Sequence, residues 1–360
     1  MDSLLVLLHT ESDGSLAKAA FEALGAARKL ADALNGTLTV GLVGAAVQAA
    51  ADSAAASGAA RFLGVAGPEF GQPRYATDAA AAEAICRAAG AAGAASCVIA
   101  PGTSRWCRVL PGVAARVGGQ ADTHVTGLSA EGGITATRWY YRQRMEAVLS
   151  RGQRPWFILL DPGSQPAWGG AAGSARVEPV DVPVTAALTR TVVTGVQAPS
   201  AEEQTIRPDA DLLFVAGAGW TKTQADGKAH TDQAAQLILD FLRKSRASLG
   251  GSKSLVDQST EGHGVLPFMS HLNQVGQTGA TPRHPRGLAT CCHGEEPHTV
   301  GWRFITERRA VNLDPSCGWS RGKADVLYVA DAFQVMSRVN ALLAERGTGS
   351  SRQEAMQNGQ

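Results

Sequence analysis

A two-domain α/β fold, each domain a mainly parallel sheet flanked by helices, is predicted by three features of this 360-residue sequence. Short apolar runs alternate with longer alanine-rich segments, the pattern of buried parallel strands joined by covering helices. The alternation pauses across a Pro-, Ser- and Glu-containing stretch at 198–204 and then restarts. The chain is also long enough for two domains that each bury a core. The predicted division is 1–203 for the first domain, 204–350 for a doubly wound second domain, and 351–360 for a flexible polar tail.

In the first domain the runs at 4–8, 37–43, 61–65 and 96–100 read as strands, and 15–34, 45–56 and 77–92 as helices. Leu16, Ala20, Leu24, Ala27 and Ala31 recur at helical spacing, which gives the first helix one apolar face. A loop and helix from Thr103 lead into a strand near 122–128. Two further strand-like runs follow at 139–149 and 155–160, separated by a turn-like Ser-Arg-Gly-Gln-Arg. The Gly/Ser/Pro-rich segment 161–175 is a loop, and 177–193 an extended tail of this domain. In the second domain 211–216 and 326–329 read as strands and 332–345 as a helix. Thr231 is the expected N-cap of a helix over 232–243, with Ala235, Ile238, Leu239 and Leu242 on one stripe. Gly217 and Gly219 lack the third glycine of a dinucleotide loop.

Charged residues make up 18% of the chain and the formal net charge is +1, so nothing marks a nucleic-acid or anionic-membrane surface. The N-terminal apolar run has no basic segment before it and is too short for a signal peptide or membrane span. With six cysteines, no CxxC and no export signal, reduced thiols in a cytoplasmic setting are the expectation. Cys291, Cys292, His293 and Cys317 offer soft ligands, but adjacent cysteines seldom converge on one ion, and the expected metal content is none. No nucleophile–base triad, Walker loop or HExxH occurs, as suits a carrier rather than an enzyme.

The most informative stretch is Gln274, Val275, Gly276, Gln277, Thr278 and Gly279. Two carboxamides, a hydroxyl and two glycines make a polar loop whose backbone can approach a ligand closely. Downstream stand Cys291-Cys292-His293-Gly294, then His298, twenty residues past Thr278, then Asn312 before Leu313-Asp314-Pro315, then Ala324-Asp325 and Asp331. In that order these elements resemble the C-terminal, FAD-binding domain of the electron transfer flavoprotein alpha subunit. That family carries a QVGQTG loop, a His-ending turn, an AINKDP-like strand end and an AD-hydrophobic-D segment. Thr103–Gly119 and 122–128 are similar to the family's first domain.

The resemblance implies FAD as cofactor. The diphosphate of FAD wants backbone NH groups at a helix start or glycine turn, and its ring wants donors and positive charge. By this resemblance Ser252, Gln274, Gln277 and Thr278 contact the ribityl–ring region, with Val275, Gly276 and Gly279 shaping their loop. Thr278 is expected near flavin N5 and His298 beside O2, while His293 and Gly294 face the diphosphate. Asn312 and Asp331 are expected at the adenosine end, an acidic side chain suiting ribose hydroxyls. The chain departs from the family at two arginines: Gly219 stands at one position and Lys253 at the other, keeping the charge but losing the planar fork. Glu295 and Glu296 occupy the phosphate turn, and the 257–274 segment, with Glu261, His263, Phe268 and His271, is longer than usual.

The resemblance further implies a heterodimer in which the first domain packs on a beta-type partner subunit. Electrons would arrive from a flavin dehydrogenase of acyl-CoA or methylated-amine type. They would leave to a membrane-bound iron–sulfur flavoprotein quinone reductase or another respiratory-chain acceptor. The alternatives are an adenine-nucleotide-binding subunit of the same architecture that has lost flavin redox activity, and a flavoenzyme turning over its own substrate.

Overall fold

The structure is a computed structural model that describes residues 3–90, 95–140, 145–195, 206–207, 209–257, 265–276, 279–280, 282–290, 304–315 and 324–357. It is α/β and divides into two compact units, Met1–Val196 and Gln197–Gln360, each built on its own mainly parallel sheet.

In the first unit β1 (Ser3–His9) lies between β2 (Thr37–Gly44) and β4 (Ala95–Pro101), and β3 (Arg61–Ala66) pairs parallel on the far side of β2. The β1 run is apolar throughout because both sheet faces are covered. Leu4, Val6 and Leu8 pack with α1 (Lys18–Ala33) and α2 (Gln48–Ser53) on one face. Leu5 and Leu7 pack with α3 (Tyr75–Ala88) and α4 (Ser104–Arg116) on the other. Each fully buried leucine contributes on the order of 2 kcal/mol. Between α3 and α4 the Arg105 guanidinium reaches Asp78 Oδ1 at 2.6 Å and donates to the Phe70 carbonyl at 2.7 Å. Burial pushes the Asp78 carboxyl up, against the pull of Arg105.

The run expected as one strand over 139–149 is two: β6 (Thr135–Tyr140) and β7 (Met145–Leu149), antiparallel to each other, with β6 antiparallel to β5 (Gln120–Ser129). The next strand, β8 (Trp156–Leu160), does not return beside β7 but lies parallel between β4 and β5. Its five residues are all buried, and only the sheet centre covers both faces of such a run. Asp122 on β5 accepts from Arg151, Arg138 and the Trp156 indole, which fixes this rearrangement. Burial works to raise the Asp122 carboxyl, and those hydrogen bonds outweigh it and hold it below the ordinary carboxylate range.

The 161–175 loop is a strap laid across α1 and α2. Trp168 N donates to the Phe21 carbonyl and its ring stacks on Phe21, Gly163 N donates to buried Glu22, and Ala175 N donates to Asp52. It delivers β9 (Val177–Pro179) to the outer edge of β3, so the nine strands run β7-β6-β5-β8-β4-β1-β2-β3-β9.

Among the described residues the second unit has five parallel strands: β10 (Leu212–Ala216), β11 (Ser248–Gly251), β12 (Arg286–Thr290), β13 (Glu307–Asn312) and β14 (Val326–Val329). Their spatial order, β11-β10-β12-β13-β14, is the doubly wound 2-1-3-4-5 arrangement. Phe214 and Leu249 on one face pack with α5 (Thr231–Ser245) and with Phe333 and Met336 of α7 (Ala332–Gln357). Leu213, Val215, Val275, Ala289, Ile305 and Ala310 form the core of the other face. The N-cap of α5 is His230 rather than Thr231, because Ala234 N already bonds the His230 carbonyl. α7 runs twelve residues past the 345 at which its apolar pattern fades. No helix among the described residues is long and apolar enough to cross a membrane.

Candidate functional site

In a parallel sheet of this order the crevice opens at the carboxyl ends of the strands, where the chain leaves β10 first to one side and then to the other. The residues at those ends are small or polar. β10 runs out into Gly217, Ala218 and Gly219, all buried, and Gly217 N donates to the Thr290 carbonyl at the end of β12. The Trp220 indole donates to Thr290 Oγ1 at 2.9 Å and packs on Phe333 with ring centroids 4.6 Å apart. This bolts the β10 turn to β12 and to α7.

Four of the expected contact residues take defined places at this end. Ser252 follows β11, is 1% exposed, and its Oγ accepts from Leu255 N at the start of α6 (Lys253–Asp257). Gln274, 3% exposed, pairs with Gly251, and Val275 N donates to the Gly251 carbonyl, so the loop is an extension of the β11 edge. Asn312 is fully buried at the end of β13 and donates to the Asp314 carbonyl at 3.2 Å. Asp331 follows β14, and its Oδ1 accepts from Gln334 N at 3.1 Å, which caps α7.

The loop closes on itself. Gly276 sits at φ +80°, Ala280 N donates to the Gln274 carbonyl, and Gly279 N donates to the Gly276 carbonyl. A Cβ on Gly279 would fall 2.2 Å from the Gln274 carbonyl oxygen, so the sixth loop position admits no side chain. Gln277, Thr278, His293, Gly294 and His298 lie outside the described residues, as do Cys291, Cys292 and Cys317. Among the described residues no group of three or more His, Cys, Asp or Glu is placed to hold a metal.

Lys253, expected at the second arginine position, is paired with Asp257 one turn along α6. Asp257 also lies 3.8 Å from His271 Nε2, and His271 Nδ1 is 3.4 Å from Gln274 Oε1. Asp257 carries no signal in the loop motif. Its four-residue separation from Lys253, the spacing of neighbours on a helix face, is the feature that exposes it.

The family model for the electron transfer flavoprotein domain matches residues 4–186, just over half of the chain and nearly all of the first unit. The chain belongs to the electron transfer flavoprotein family. No curated protein matches it significantly.

For an electron transfer flavoprotein the donor set at the second sheet fits a flavin. Ser252, Gln274 and Asn312 place a hydroxyl and two carboxamides, all buried, at one end of one sheet. Such groups both donate and accept, as a hydroxylated chain and a heteroaromatic edge require. A flavin would supply the redox chemistry in a member of this family, and Ser252, Lys253, Gln274 to Gly276, Gly279, Asn312 and Asp331 are the candidate residues to hold it among those described.

Proposed function

We propose that this chain is the alpha-type subunit of a heterodimeric electron transfer flavoprotein that carries FAD in its second unit. It receives electrons from a flavin dehydrogenase of acyl-CoA or methylated-amine type and passes them to a membrane-bound iron–sulfur flavoprotein quinone reductase. The first unit packs against a beta-type partner subunit. The protein works as a carrier and turns over no substrate of its own.

The observation that carries this reading is the convergence of Ser252, Gln274, Asn312 and Asp331 at the carboxyl ends of a 2-1-3-4-5 sheet in a member of this family. In the proposed complex the Gln274–Gly279 loop lines the ring and the ribityl chain, with Thr278 at N5 and His298 at O2. His293 and Gly294 meet the diphosphate. Asn312 and Asp331 take the adenosine end, the carboxylate oxygen of Asp331 not committed to its cap facing the ribose.

Gentle native isolation followed by mass analysis of cofactor and partner tests the proposal. A complex with FAD and a second, beta-type chain is expected, yellow in solution. A colourless single chain without flavin would sink the reading, and bleaching by a substrate with no dehydrogenase present would overturn the carrier role. Thr278→Val is expected to move the flavin potential with the unfolding midpoint unchanged. An unmoved potential would place the loop away from the ring.

A further inference from the structure

The charge at the candidate flavin site is organised by a residue that its loop motif does not contain. Lys253 is a cation at this end of the sheet, and its ammonium is in contact with Asp257 Oδ2. The other oxygen of the same carboxylate faces His271 Nε2 at 3.8 Å. His271 in turn sets Nδ1 against Gln274 Oε1 at 3.4 Å, and Gln274 anchors the loop through its own carbonyl, which accepts from Ala280 N. One carboxylate therefore stands between a cation and an imidazole that leans on the loop.

The geometry points to Asp257 as a positioning residue that sets the flavin potential. It holds the Lys253 charge in place and offsets it. This inference rests on the flavin site proposed above. A ring that gains electrons is stabilised by nearby positive charge, so a cation already matched by a carboxylate favours reduction less than one released from it. The pair is half-exposed and four residues apart on a five-residue helix, a geometry that contributes little to stability. Removing the carboxylate thus changes the charge of the site with the fold kept.

The test uses the flavin-loaded heterodimer and three variants, Asp257→Asn, Lys253→Met and the double variant, in spectroelectrochemical titrations. Acylation of Lys253 is followed in parallel by mass spectrometry, a readout that needs no flavin. Asp257→Asn is expected to ease reduction about tenfold, a positive shift of about 30 mV for a two-electron couple. It is also expected to raise the Lys253 acylation rate several-fold. In the Lys253→Met background the shift from Asp257→Asn is expected to fall to less than half. A potential that moves in Lys253→Met but not in Asp257→Asn, with Lys253 acylation unchanged, overturns the role of Asp257 and leaves the flavin site standing. A protein that folds and binds no flavin removes the site itself, and the potential-setting role with it, even where the acylation rate responds.

Discussion

Gly279 shows how little freedom the candidate site leaves a single residue. A methyl there meets backbone, not a side chain that can swing away, so relief requires the loop to open. Gly279→Ala is expected to destabilise the second unit by about 1–3 kcal/mol and to weaken flavin retention, read by denaturant titration and by the flavin-to-protein ratio after gel filtration. In the first unit His9, whose Nε2 lies 3.1 Å from Thr103 Oγ1, has its imidazole pushed down from 6.5 to about 4 by burial first and by Arg105 second. The folded protein then binds fewer protons than the unfolded chain, so this contribution is whole above pH 6.5 and is lost as pH falls toward 4. The loss amounts to about 3 kcal/mol at most, and His9→Gln should flatten that part of the curve in urea unfolding run between pH 7.5 and 4.5. These two residues differ in legibility. The glycine was marked by its motif, whereas nothing near His9 in sequence announces that Arg105, 96 positions later, stands beside it.

At the scale of elements, the buried strands of both sheets were the most legible, because a run covered on two faces must be apolar from end to end. The division of 139–149 into β6 and β7 was not, since no glycine or proline marks the reversal and its one sign is the polar run Arg142-Gln143-Arg144. Caps were legible in kind but not in place: Thr231 has the right side chain, yet α5 starts one residue earlier on a main-chain bond. Asp331 carries two expectations at once, a cap for α7 and a partner for ribose. Asp331→Ala is expected to cost about 1 kcal/mol of stability as well as cofactor affinity. Asp331→Asn keeps an acceptor for Gln334 N and should hold the unfolding midpoint while still weakening FAD binding. Equal affinity in Asp331→Asn and the parent would leave the carboxylate with the cap alone.

For the whole molecule, two α/β units could be read from the restart of the alternation, and the parallel character of both sheets from their connections. The order of strands could not, because it depends on where connections travel rather than on what they contain. The 161–175 segment reads only as a loop, yet its bonds to Phe21, Glu22 and Asp52 carry the chain over two helices to the opposite margin of the sheet. That path has a consequence for the biogenesis of the protein. Until Val177 has emerged and docked, β3 offers its outer main chain to any extended peptide nearby, and a chain terminated after Leu160 keeps that margin bare for good. Such a fragment is expected to elute as oligomers in size-exclusion chromatography at concentrations where the intact first unit does not, so the last strand laid down acts as the seal on a sheet otherwise finished at Leu160.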